Sequence, residues 1–248
     1  MDNQLISISL DEPFRFFCGP GVSCFNECCR DLNQFLTPYD ILRLRARLAI
    51  SSTEFLSGYT SRHTGPGTNL PIVRLKENYS DAAKCPFVTG NGCSVYEDRP
   101  SSCRAYPIAR MVSRRRKSGA LSAHFALIKE PHCLGHKQDY QQTVREWIHN
   151  QGLEIYNEMN DMLMEIISLK NQYLPGRLDL VSARNFHLAC YDLDNFRSQV
   201  FGRKMIDASD FDKKLLSDAE KNDTALLKLG LNWLKFKLFG KRIEKHAY

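Results

Sequence analysis

The 248-residue chain contains no uninterrupted stretch of about 18 apolar residues, which excludes a helix apolar enough to span a bilayer. It also lacks a glycine-rich phosphate loop, a nucleophile elbow, an HExxH pair and a radical-type CxxxCxxC triplet. The commonest signatures of nucleotide binding, serine hydrolysis and zinc proteolysis are thereby removed. There is no internal repeat and no low-complexity tract. The opening residues MDNQLISISLDEPFRF hold no basic leader, no apolar h-region and no small-residue cleavage site, so a cytoplasmic protein with reduced thiols is expected.

Charged residues make up 25% of the chain and hydrophobic residues 43%, ordinary globular values that argue against wholesale disorder. The net charge of +6 is modest but uneven. Arg114, Arg115, Arg116 and Lys117 form one basic cluster, and Lys235, Lys237, Lys241, Arg242 and Lys245 another. A solvated loop accounts for the first cluster, with phosphate, nucleic acid or an acidic partner as the alternative, and for the chain as a whole nucleic acid is not an expected partner.

Cysteine is the residue the chain has in excess. Eight of the nine, namely Cys18, Cys24, Cys28, Cys29, Cys85, Cys93, Cys103 and Cys133, precede residue 134, a number that suits two four-thiolate sites. In a reducing compartment such a set reads as metal or cluster ligation rather than as a disulfide framework. Adjacent Cys28 and Cys29 strengthen this, because a disulfide between neighbours is strained and one ion rarely takes both. They can instead serve two centres, or two atoms of one cluster. Cys190 stands apart and is expected to be a buried hydrophobe.

Thr37 with Asp40, Ser51 with Glu54 and Thr143 with Glu146 each read as a helix start with a capping box. Leu70 to Lys76 reads as a short strand. From Cys85 to Pro107 three prolines forbid a long helix, and Gly90-Asn91-Gly92 marks a turn, so this is a ligand-bearing loop system. YPIARMV and LSAHFALIK flank the basic tip, with Ser118-Gly119 as turn residues, and make a hairpin. Apolar residues from Trp147 to Ile167 recur at helical spacing, which predicts a long helix or two broken near Gly152.

In the last apolar segment, TALLKLGLNWLKFKLFGKR, Lys228, Asn232 and Lys235 fall at i, i+4 and i+7 and form a narrow polar stripe. It predicts an amphipathic helix over about 224–240 that packs on the domain, docks an unknown protein partner, or makes a peripheral membrane contact. The expected fold class is α+β and predominantly helical, with an irregular cysteine-rich metal-binding core, a short hairpin and a helical C-terminal half. The expected domains are residues 1–137, binding metal, and 138–248, a helical extension.

Structural zinc takes four tetrahedral ligands in short pairs. Cys24 to Cys28 fits that spacing, but Cys18 to Cys24, Cys85 to Cys93 and Cys93 to Cys103 are too long for a knuckle. Iron–sulfur clusters accept wider spacing, so an iron–sulfur cluster, 4Fe-4S ahead of other types, is expected before zinc, in one or two centres. His132 and His136 flank Cys133 and can replace one sulfur, although a surface histidine is the plainer reading of each. Arg99 and Arg104 can offset thiolate charge, or form ordinary surface ion pairs.

The stretches FFCGPGVSCFNECCRDL and CPFVTGNGCSVYEDRPSSCRAYP resemble the YkgJ-type cysteine-cluster family, the CxxCxxCC zinc- or iron-chelating domain. The likeness covers roughly residues 14 to 136, and C-x-x-Y-x-x-RP-x-x-CR-x-YP is its most specific part. It departs at the first motif, where five and three residues separate the leading cysteines in place of two and two. The resemblance implies metal chelation. A related pattern in flagellin lysine N-methylases adds a cluster-dependent, protein lysine N-methylase-like enzyme as an alternative to electron transfer, and a zinc-stapled interaction module is a third reading. No methyl-donor site is identifiable in the sequence.

Overall fold

The computed structural model describes residues 4–114, 120–207 and 210–243. Arg115, Arg116, Lys117, Ser118, Gly119 and Lys245 lie outside the described residues, as do the side chains of Lys241 and Arg242. In chain order the strands and helices begin with β1 (Gln4–Ile8), β2 (Pro13–Arg15), β3 (Phe35–Leu36), α1 (Pro38–Leu48), α2 (Ser52–Tyr59), β4 (Thr60–Thr64) and β5 (Pro71–Leu75). There follow β6 (Val88–Thr89), β7 (Gly92–Cys93), α3 (Ser101–Ala105), β8 (Ile108–Arg114), β9 (Leu121–Lys129), β10 (Gln141–Thr143) and α4 (Val144–Asn150). The chain continues through α5 (Leu153–Tyr173), α6 (Leu180–Cys190), α7 (Leu193–Arg197), α8 (Lys213–Lys221) and α9 (Asp223–Ile243). The fold is mixed α+β with small sheets.

Two compact units divide the chain, and they are not consecutive. One holds Met1–Gln34 with Leu75–Glu158, the other Phe35–Arg74 with Met159–Tyr248. The division therefore falls at residues 34/35, 74/75 and 158/159. Composition follows chain order, whereas these units are assembled from segments distant in sequence.

In the first unit β8 and β9 form the expected hairpin, from Ile108 opposite Leu127 to Arg114 opposite Leu121, and β1 adds to it antiparallel. A second ribbon pairs β2 with β10, Phe14 facing Gln142. Alternation along these strands buries Ile8, Phe14, Phe16, Ile108 and Leu127 with Val144 in one core. Trp147 packs edge-on against Phe14 and Phe16, and its indole N–H donates to the Ala105 carbonyl at 2.8 Å. Thr143 and Glu146 close the predicted capping box of α4. The break between α4 and α5 falls at Gly152, whose φ of 57° lies in the left-handed region.

In the second unit α1 and α2 begin at the two other predicted capping boxes, Thr37–Asp40 and Ser51–Glu54. The sheet runs β3-β5-β4. Helix α9 spans the predicted amphipathic segment and buries Leu226, Leu227, Leu229, Leu231, Leu234 and Phe239. Gly230 lets α6 come close, because a Cβ there would lie 2.8 Å from the Ala189 carbonyl oxygen. Cys190 is fully buried, as its isolation in the sequence suggested. The polar stripe of α9 is partly used: Lys235 pairs with Glu165 at 2.6 Å. Arg45 and Arg197 both reach Asp223 at the first turn of α9, where a carboxylate also favours the helix dipole. No helix among the described residues is long and apolar enough to cross a membrane.

Candidate metal centre

All eight sequence-predicted cysteine ligands fall in the first unit, and every cysteine in the chain is a free thiol. They sit on irregular backbone, which side chains and turns must hold in place. The segment after Phe16 begins with the Phe16 and Phe17 N–H groups donating to the carbonyls of Tyr140 and Gly135, at 3.0 and 3.1 Å. It then winds through consecutive turns, Val22 N–H to Gly19, Phe25 to Val22, Glu27 to Cys24 and Cys29 to Asn26. Asn26 takes φ 71°, a left-handed conformation asparagine tolerates, and leads into the 3₁₀ turn Glu27–Cys29. Gly135 permits the close approach of Phe16 and Phe17, since a Cβ would lie 2.5 Å from Phe16 and 2.9 Å from the Phe17 carbonyl.

This docking brings Cys18 and Cys24 to Cys133. The Cys24 sulfur accepts a hydrogen bond from the Leu134 N–H at 3.2 Å. Burial pushes the Cys18 thiol up to about 11, and the charges that add to it come from Cys28, Cys24 and Cys133. Cys133 is raised by burial, with Cys24 and Cys28 again as its charged thiol neighbours. Cys18, Cys24, Cys28 and Cys133 are thus one neighbourhood.

A second neighbourhood forms across the strip Cys29 to Asp31. Cys85 N–H donates to the Cys29 carbonyl at 2.9 Å, Asp31 N–H to the Ala83 carbonyl at 3.0 Å, and Arg30 bridges to Lys84. From Cys85 the chain turns at once, Val88 N–H to the Cys85 carbonyl, into the β6–β7 hairpin that places Val88 opposite Cys93. The long Cys85 to Cys93 interval is folded back on itself, a feature linear spacing does not display. Cys103 lies on α3, its sulfur 3.6 Å from the Gln34 Oε1. The Cys29 thiol is pushed up by its hydrogen bond with Cys28, by burial and by the charges of Cys28, Cys85 and Cys103. The same bond pulls Cys28 down. Burial, then Cys93, raises Cys85. Among the described residues no three His, Cys, Asp or Glu side chains converge tightly enough to enclose an ion as placed. The donor chemistry, soft thiols gathered on short irregular loops, fits zinc or iron.

Of the two arginines singled out, Arg99 is placed to offset thiolate charge. It is buried, stacks over Tyr96 at 3.8 Å, and its charge opposes the burial that raises Cys18 and Cys93. Arg104 instead ties the chain together, donating to the carbonyls of Gln151 and Glu97 and lying over the Tyr156 ring. His132 pairs with Glu130 at 3.6 Å, and His136 packs its buried ring on Phe16. Two residues escaped notice in the sequence. Gln34 is buried and holds Ser102 and Cys103, and the shielded Tyr106 hydroxyl, with no hydrogen bond of ordinary geometry, adjoins the Cys133 thiol and Glu130. Tyr106 belongs to the CR-x-YP string, the one signal that could have drawn attention to it.

Residues 18–134 match the family described as "CxxCxxCC: Putative zinc- or iron-chelating domain". The similarity holds over that region although the leading spacing departs from the family's name, and the matched span contains all eight clustered thiols. No curated protein and no solved structure matches the chain.

Proposed function

We propose that the CxxCxxCC domain chelates metal through the thiolates of Cys18, Cys24, Cys28, Cys29, Cys85, Cys93, Cys103 and Cys133, as an iron–sulfur protein ahead of a zinc protein. The observation that carries this is the gathering of eight free thiols, from four separate stretches of chain, into adjoining neighbourhoods. Deprotonated thiolates are ligands for both metals, and metal binding repays the repulsion of bringing them together. With four sulfurs per centre no position is left open for substrate, which supports electron transfer or metal-dependent scaffolding over chemistry at the metal.

The test is anaerobic purification followed by an absorption spectrum with iron, zinc and acid-labile sulfide analysis of one sample. A brown protein with matched iron and sulfide supports the cluster, and a colourless protein with stoichiometric zinc replaces it with a structural site. Protein that holds neither metal, and takes up neither on reconstitution, refutes chelation.

A further inference from the structure

We propose that the domain carries two separate four-thiolate centres in contact, one on Cys18, Cys24, Cys28 and Cys133, the other on Cys29, Cys85, Cys93 and Cys103. This rests on the chelation reading and divides its ligands. The division follows the backbone. Cys24 is tied through its sulfur to Leu134, beside Cys133, and Phe17, beside Cys18, is tied to Gly135. Cys29 is tied through its carbonyl to Cys85, whose hairpin returns Cys93, while Gln34 holds α3 and Cys103 to the chain continuing from Cys29. Cys28 and Cys29 sit where these two systems meet.

The residues between Cys24 and Cys28 lock the systems together. Asn26 donates to the Thr89 carbonyl at 3.1 Å, and Gly92, at φ 111°, leaves room for Phe25, whose Cζ would lie 3.0 Å from a Cβ there. The β6–β7 hairpin of the second set therefore packs on the loop of the first. Adjacent cysteines then have a purpose: neither centre competes for both, and the peptide joining them fixes the separation. Across one trans peptide the Cys28 and Cys29 Cα atoms are about 3.8 Å apart, so metals held by these two residues are near neighbours.

Cobalt(II), added anaerobically to the chelator-treated full chain, tests this. The wild type is expected to saturate at two equivalents with tetrahedral cobalt–thiolate bands, and its electron paramagnetic resonance at saturation should show spin–spin interaction. The double variants Cys18→Ser/Cys24→Ser and Cys85→Ser/Cys93→Ser should each retain one equivalent and the bands of one centre. Saturation of the wild type at one equivalent, or two cobalt ions without spin interaction, overturns the proposal even if neither variant folds. A folded variant of either pair that loses both equivalents also overturns it. Failure of the wild type to bind cobalt, zinc or iron at all would instead remove chelation itself.

Discussion

At the scale of single residues, the groups that touch sulfur without being ligands decide how strongly metal is held. Tyr106 presents a shielded hydroxyl to Cys133, and a donor in that position favours the thiolate over the thiol. Tyr106→Phe keeps the ring that packs edge-on against Phe16 but removes the proton. Metal affinity, measured by competition with a chromophoric chelator, should fall by about tenfold, the lower end for a lost outer-shell partner, while thermal stability changes little. An unchanged affinity would show that Tyr106 only fills space. His187 offers a second test in the other unit. Both its ring nitrogens are buried without partners, and burial, reinforced by Arg62 and opposed by Asp192, pulls its pKa down to about 4. The unfolded chain binds this proton near the ordinary histidine value and the folded chain does not. Stability is therefore complete above about pH 6.5 and is lost as pH falls toward 4, by ~1–2 kcal/mol after allowing for partial exposure of the ring. Urea titrations between pH 7 and 4.5 should show a shallower loss for His187→Phe than for the wild type; parallel curves would exclude the histidine.

Elements were legible in the sequence wherever a local rule applied. Three capping boxes, the β8–β9 hairpin, the break at Gly152 and the extent of α9 are each written in a few neighbouring residues. What stayed hidden were the places where distant backbone meets. Gly230 and Gly135 look alike in sequence, and neither lies in a turn signature, yet each is a point of contact. At Gly230 an alanine gains helix propensity, about 1 kcal/mol, but its Cβ meets the Ala189 carbonyl at 2.8 Å and Phe196 at 3.2 Å. The contact should win, because backbone cannot turn aside as a flexible side chain can. Gly230→Ala is expected to destabilise by about 1–3 kcal/mol in chemical denaturation. A stabilised variant would mean that α6 and α9 separate without cost. Gly135→Ala acts on the metal site instead, by pushing Cys133 away from Cys18, and should lower metal content at similar expression.

At the scale of the whole molecule, the eight clustered thiols fall in one compact unit, Met1–Gln34 with Leu75–Glu158, and helices α6 to α9 in the other, Phe35–Arg74 with Met159–Tyr248, so each unit is assembled from segments distant in sequence, which composition read along the chain does not display. Nor does linear spacing reveal which thiols are neighbours: Cys28 and Cys29 share a peptide, yet Cys28 keeps company with Cys133 and Cys29 with Cys85. Between Phe17 and Asp31 the backbone has mainly turns to hold it, and thiolates brought together without a metal repel each other. Helices α6 and α9, by contrast, bury Phe186, Leu188, Ala189, Cys190 and the leucines of α9 with no need of a ligand. Hydrogen exchange with and without chelator should therefore lose protection in residues 17–34 and 83–104, where ordering depends on the metal, and keep it in 183–190 and 226–239. Equal loss in all four segments would mean that metal stabilises the chain as one cooperative body. No loss in the first two would mean that their turns hold without it, and that the thiols serve an exchangeable ion.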